Sequence, residues 1–415
     1  MSAPLSGRRP ALGFIFVTVV LTVLGFGLLI PVLPGLVTEF LGRDVSAGSY
    51  SYGWLVSVYA LMQFFGAPVL GALSDRFGRR KVILMALAGS SLDYVVMALA
   101  PNLAVLFVAR MIGGLTAGVM SAANAYVADV TPPEKRAQGF GLIGAAFGLG
   151  FIIGPLVGGL LGSIDLRLPF WAAAGCAALN WLYGFFVLPE SLAPEKRRAF
   201  SWKRANPVGA LMALKRFPAV LGLAESYFVL TLAQMMLFSI WALYTAHRYR
   251  WDPQQVGFSL AAVGVMGVVV QAGLARRIIG RVGDMRAVVF GLVLSAVAQT
   301  LYGLAPSAWM VYAIIGVSSF AGIAGPAMQS YITKHVPPDE QGGVQGIYAG
   351  LASLAGIPGP LISTWSFGWA VEPGRAEWLV GLPFFIAASL VVIALVLATR
   401  SFGKDHLALT PTARP

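Results

Sequence analysis

Residues 82–118 read VILMALAGSSLDYVVMALAPNLAVLFVARMIGGLTAG, and their reading decides the fold. The runs 82–100 and 102–127 are each long enough to cross a hydrocarbon core of about 30 Å. Pro101-Asn102 between them marks a turn, so the stretch predicts a membrane hairpin. Two charges interrupt the apolar runs. Asp93 precedes the turn by about eight residues and Arg110 follows it by about eight, so at about 1.5 Å per residue they lie at similar depth. A lone charge at mid-membrane costs at least ~2.5 kcal/mol, and such residues pair or face a water-filled cavity. Two readings stay open: a permanent ion pair that locks the two helices, and a pair that opens when Asp93 takes up a proton. Arginine does not deprotonate, so switching would lie with the acid.

The same texture extends along the chain. Of its 415 residues 58% are hydrophobic and 11% charged, with a mean hydropathy of +0.78, the composition of an integral membrane protein. Twelve spans are expected, at 11–36, 51–72, 82–100, 102–127, 137–162, 168–188, 218–246, 254–275, 286–304, 308–333, 341–366 and 377–399. The runs do not alternate as β-barrel strands do. The first is too long for a signal-peptide core and reads as the first span. The net charge of +12 could suggest nucleic acid, but its distribution says otherwise. Arg110 is within a span, Arg43, Arg167, Arg248, Arg250 and Arg375 fall in the loops of one side, and the remaining 23 of the 29 Lys and Arg fall on the other. That bias predicts both termini in the cytoplasm, and no aromatic-interleaved basic tract points to nucleic acid.

An internal repeat organises the chain. A shift of 205 residues places Gly78 on Gly283, Tyr126 on Tyr331, Pro132-Pro133 on Pro337-Pro338, Gly141 on Gly346 and Gly154-Pro155 on Gly359-Pro360. Residues 189–217, charged and proline-bearing, form the one long loop after six spans. The expected organisation is an N-terminal six-helix bundle (1–188), a cytoplasmic linker (189–217) and a C-terminal six-helix bundle (218–415). Such parallel repeats hold a substrate site between the halves near mid-membrane.

Three motifs carry a family resemblance. GALSDRFGRRK (71–81) resembles the signature loop of major facilitator transporters, ARMIGGLTAG (109–118) the motif with their membrane arginine, and GLGFIIGPLVGG (148–159) the glycine-proline motif of their antiporters. With GLLIPVLPGL and SLDYVVMA, the first half resembles the tetracycline/proton antiporter branch of the drug exporters. The resemblance implies an all-α integral membrane fold of 12 transmembrane helices, the major facilitator fold. It also implies alternating access, and a bacterial-type inner membrane. The sequence departs from that branch where Thr22, Gly267 and Ser295 or Gln299 stand at positions the branch fills with ionisable groups, and the second-half loop IIGRVGDMR lacks the acid before its Gly-Arg.

The candidate residues follow. Asp93, Arg110 and Glu225 are the proton-coupling set; Glu225, in LAESYFVL, is read as a second proton site, a cation-recognising carboxylate or a snorkelling residue. The resemblance assigns Gly71, Asp75, Arg76, Gly78, Arg79, Arg80, Asp129 and Arg136 to a cytoplasmic gate, with Glu134 beside them. Gly71 and Gly78 are expected to permit a tight turn, and Asp75 to cap a helix or meet Arg79, Arg80 or Arg136. Plain positive-inside anchoring would explain the bases but not Asp75. Gly150, Gly154, Pro155, Gly158 and Gly159 put small residues on one face, allowing close helix contact, and Pro155 is expected to bend its helix. Tyr59, Gln63, Asn124, Gln234, Trp241, Gln271 and Gln329 are the candidate cavity lining, mostly apolar with sparse polar groups, which suits a lipophilic solute. Each of them alone also reads as a helix–helix hydrogen bond or an interface anchor.

No Walker-type loop, nucleophile–base set or ligand cluster is present, and Cys176 is the single cysteine. An enzyme, a cofactor and a metal are therefore not expected. The partners expected are a small-molecule substrate, protons and the bilayer, for a chain working as a monomer. The leading expectation is a proton antiporter exporting a lipophilic drug-like molecule. The alternatives are an exporter of an endogenous metabolite, lipid or siderophore, with or without proton coupling, and a non-transporting membrane receptor or assembly factor.

Overall fold

A backbone in lipid must satisfy its own N–H and C=O groups, and helices do so within one segment. The computed structural model describes residues 12–132, 135–202, 206, 218–336 and 341–409, and among them no strand occurs. In the first half the helices are α1 (Leu12–Leu29), α2 (Leu33–Phe40), α3 (Val45–Phe77), α4 (Arg79–Leu99), α5 (Leu103–Thr116), α6 (Val119–Val130), α7 (Arg136–Gly162) and α8 (Leu168–Phe186). The second half adds α9 (Pro218–Tyr249), α10 (Pro253–Val268), α11 (Ala275–Val282), α12 (Asp284–Leu304), α13 (Ala308–Ser318), α14 (Ala324–His335), α15 (Gln341–Ala355), α16 (Pro358–Ala370) and α17 (Leu382–Leu409). Among the described residues eleven helical stretches are long and apolar enough to cross a membrane. The sixth expected span corresponds to α8, 19 residues long, which is not among those eleven.

Several expected spans are interrupted, each for a local reason. The first breaks at Ile30–Val32, where Pro31 and Pro34 remove backbone donors. The fourth breaks between α5 and α6 at Ala117–Gly118, where a Cβ on Gly118 would lie 2.7 Å from Leu70 Cβ. The eighth passes through a π-helical turn at Val269–Leu274, the tenth through a 3₁₀ turn at Ser319–Ile323, and the eleventh breaks ahead of Pro358. By contrast α7 runs unbroken through Pro155.

The helices fall into two compact units. One comprises α1–α8 with residues Thr245–Gly264; the other takes the preceding part of α9, up to Tyr244, and everything from Val265 onward. The first unit's core gathers Ile15, Val19, Ile83, Leu87, Tyr126 and Ile143. The second unit's core gathers Val288, Leu292, Met328, Tyr331, Tyr348 and Val391. The repeat mates Tyr126 and Tyr331 thus occupy both cores, and Gly78 and Gly283 both hold positive φ, 102° and 83°, at the turns before α4 and α12. Glycine adopts that backbone without steric cost. Polar ties join the spans. Asn180 on α8, fully buried, donates to Thr18 O at 2.9 Å and to Thr22 Oγ1 at 3.1 Å on α1. In the second unit Ser239 and Ser363 are hydrogen-bonded at 2.8 Å, and Tyr244 donates to Tyr302 O at 2.8 Å.

Candidate functional site

The α4–α5 hairpin brings Asp93 and Arg110 together, as its length predicts: Arg110 Nη2 donates to Asp93 Oδ2, and each residue is 4% exposed. Asn102 starts α5 by accepting from Val105 N at 3.1 Å, which fixes the register of the two helices. Arg110 also lies over the Tyr59 ring, 4.8 Å from its centroid, a cation–π contact from α3. The pair is single-armed. Asp93 Oδ1 and Arg110 Nε make no hydrogen bond among the described residues, so the bidentate geometry that makes arginine–carboxylate pairs strong is missing.

The glycines of the Arg110 motif make the room for this pair. A Cβ on Gly113 would lie 2.5 Å from Asp93 Oδ2, and one on Gly114 would lie 2.7 Å from Met62 Cβ on α3. One turn back, Gly89 clears Thr116 in the same way. Tyr94, next to Asp93, packs against Gly25 of α1, its ring 3.6 Å from where a Cβ would sit. Gly113 and Gly114 were not singled out in the sequence beyond their place in the arginine motif; the fold shows that Gly113 faces the carboxylate.

The second cluster sits at the α3–α4 turn. Arg79, the first residue of α4, contacts Asp75 at 2.6 Å, Asp129 at 3.1 Å and Ser74 Oγ at 2.6 Å. Its backbone N–H donates to Glu190 Oε1 at 2.8 Å, so a residue after α8 caps α4. Ser191 donates to Asp129 Oδ2 at 3.1 Å, and Arg198 N donates to Asp75 O at 3.0 Å, binding the start of the linker to the loop. Glu190 was not singled out in the sequence; the signal is an acid placed directly after the sixth span.

The other loop residues are more dispersed. Arg80 donates to the carbonyls of Gly184 and Phe185 at the end of α8. Arg76 lies over the Phe77 ring, and Arg136 donates to Ala128 O at 3.4 Å. Of the two glycines expected to form a turn only Gly78 does so; Gly71 lies within α3, where a Cβ would be 3.3 Å from Ser121 Oγ. Glu134 is outside the described residues.

The glycine-proline motif uses two faces. A Cβ on Gly150 would lie 2.8 Å from Val23 Cβ, on Gly154 2.8 Å from Gly27 Cα, and on Gly158 2.7 Å from Leu28 Cα, all on α1. Pro155 itself packs against Gly27. Gly159 turns the other way, 3.0 Å by the same measure from Gly257 Cα of α10. Backbones this close admit no side chain.

Glu225 is exposed near the start of α9, and Asn124, Gln234, Gln271 and Gln329 are exposed on their helices. Gln63 is half-buried, and Trp241 is buried edge-on against Tyr302 with ring centroids 5.2 Å apart. Among the described residues no group of His, Cys, Asp and Glu could hold a metal ion.

A helical membrane protein with a buried ion pair, glycine-lined helix contacts and a charge cluster at a helix turn has the parts of a secondary transporter. The profile of the Major Facilitator Superfamily matches residues 15–360 and, overlapping, 223–412, and the chain belongs to that superfamily. It is 39% identical over 385 residues to the tetracycline resistance protein, class C, of Escherichia coli, covering 93% of this chain and 95% of that one. It is 35% identical to the class D protein of Salmonella ordonez, over 91% of this chain and 95% of that one. Among solved structures it resembles the human organic anion transporter MFSD10 (TETRAN) with a TM-score of 0.71 and 28% identity, covering 95% of this chain and all of that one.

Proposed function

We propose that this transporter exports a lipophilic, tetracycline-like drug across the bacterial inner membrane in exchange for protons, with both termini in the cytoplasm. The observation that carries the proton coupling is the buried, single-armed Asp93–Arg110 pair. Protonating Asp93 cancels the charge that Arg110 binds, while the guanidinium stays charged and keeps the Tyr59 face. The two states of the pair then differ in how firmly α4 is tied to α5, a difference a transport cycle can use. Drug export is supported by the class C relative, whose name states resistance to tetracycline.

Within this reading the Arg79 cluster acts as the cytoplasmic gate of the first half, and the α1–α7 glycine contact gives that half a rigid seam. Tyr59, Gln63, Asn124, Gln234, Trp241, Gln271 and Gln329 are the residues proposed to meet substrate, and Glu225 is the second acid available to a proton. The chain works as a monomer that alternates access between the two sides.

A second reading is export of an endogenous metabolite, lipid or siderophore without protons. Thr22, Gly267 and Ser295 favour it, because they leave Asp93 and Glu225 as the only acids inside the expected spans away from their ends. One experiment separates the two: drug susceptibility in a host without its own exporters, paired with uptake into everted vesicles with and without a pH gradient. The first reading expects tetracycline resistance and uptake that collapses with the gradient. Uptake indifferent to the gradient, or no resistance across the drug panel, would favour the second.

A further inference from the structure

The repeat offset of 205 residues carries Arg79 onto Asp284 and Asp129 onto Lys334. Both pairs are formed. Arg79 and Asp129 meet at 3.1 Å, and Lys334 Nζ and Asp284 Oδ2 meet at 2.5 Å. Each pair ties the first residue after a positive-φ glycine to the end of the helix that closes the following hairpin: α4 to α6 in the first unit, α12 to α14 in the second. The places are the same and the charges are exchanged. We propose that Asp284–Lys334 is the second unit's positioning staple, equivalent to Arg79–Asp129 but of inverted polarity, and that transport turnover depends on it.

Helix ends explain why the polarity can invert. The N-terminus of a helix favours an anion and its C-terminus a cation. Asp284 at the start of α12 and Lys334 near the end of α14 obey that preference. Arg79 at the start of α4 and Asp129 near the end of α6 oppose it, and the first unit carries extra acids that offset the conflict. Asp75 and Ser74 hold the Arg79 side chain, and Glu190 takes its backbone N–H. The repeat mates of Ser74 and Asp75 are Ile279 and Gly280, which can do neither. Among the described residues the second unit therefore holds its turn with one pair. Positive-inside anchoring accounts for Lys334 but not for a carboxylate whose side chain is only 9% exposed and directed at that lysine.

The inference that turnover depends on the pair rests on the proposed export of tetracycline; the staple itself does not. The test is a charge-reversal cycle, Asp284→Lys, Lys334→Asp and the double exchange, with Asp284→Asn as the milder variant. At equal membrane abundance each single reversal is expected to lower the Vmax of tetracycline uptake into everted vesicles about fivefold with KM unchanged, and the double exchange to restore at least about half of the lost rate. Thermal melting of the purified proteins is read on the same set and needs no substrate, so a wild type that moves no tetracycline leaves the staple still measurable. Singles that melt below the wild type with recovery in the double support the staple. Wild-type rates and melting in the singles, or a double exchange no better than either single, overturn it.

Discussion

The two units build the same hairpin with different chemistry inside it. In the first, α4 and α5 face each other through a charged pair, Asp93 and Arg110. In the second, the repeat offset puts Ala298 and Ile315 at those positions, and α12 and α13 are joined by a neutral hydrogen bond between the Tyr302 and Ser318 hydroxyls at 2.9 Å. Ser318 is itself the repeat mate of Gly113, the glycine that makes room for the Asp93 carboxylate. The comparison teaches that the shared architecture needs only a polar contact at this depth. A buried charge pair is dearer to desolvate than the bond that replaces it, so its presence in one unit alone points to work done there.

The largest expected effect is on Gly113. Gly113→Val drives branched methyls into Asp93, and transport is expected to fall by about tenfold or more, equivalent to about 1.4 kcal/mol or more on the turnover barrier. Ser318→Ala, at the mate position, removes the neutral hydrogen bond to Tyr302, worth about 1 kcal/mol, together with a longer one to Ile315 O, and is expected to change melting more than flux. Equal losses of flux at the two positions would erase the distinction between the hairpins.

A smaller contrast concerns the glycine-proline mates. Gly154→Ala presses a methyl on the Gly27 backbone, an overpacking that costs about 1–3 kcal/mol. Gly359→Ala meets Met235 Cβ at 2.8 Å, an atom that moves only with its own backbone, but the nearest backbone atom is 3.3 Å away, so it is expected to melt below the wild type by less than Gly154→Ala. Comparing the two melting temperatures checks this, and an Ala at 154 without penalty would contradict the close α1–α7 seam.

The smallest effect is at the two turns. Glu190→Gln weakens the cap on Arg79 N and is expected to cost about 1 kcal/mol in urea or thermal unfolding. Nothing among the described hydrogen bonds caps the Asp284 backbone N–H in that way, so no acid near the second turn other than Asp284 itself should show a matching loss. The two turns would be alike if one did.

Much of this was legible in the sequence, and the limits have physical causes. Span existence follows from hydropathy, and the Asp93–Arg110 contact follows from counting residues on either side of Pro101-Asn102, because a tight hairpin fixes depth. The repeat was legible through Gly78 and Gly283, since both turns need positive φ. The interruptions at Ile30–Val32 and Ala117–Gly118 were not, because hydropathy is blind to backbone breaks inside an apolar run. Nor was Glu190, whose partner is 111 residues away and becomes a neighbour only when α8 packs on α4. Thr22 at a position where the resemblance leads one to expect a carboxylate remained bare in the sequence, and in the fold it is one acceptor for the buried Asn180 amide.

The central claim, that Asp93 is the residue through which protons drive this exporter, is tested most directly by following protons. In proteoliposomes with an internal pH dye, a tetracycline gradient should drive a proton flux through the wild type and through Asp93→Glu, and none through Asp93→Asn. Proton movement through Asp93→Asn at the wild-type rate would contradict the account and leave Glu225 as the acid to test.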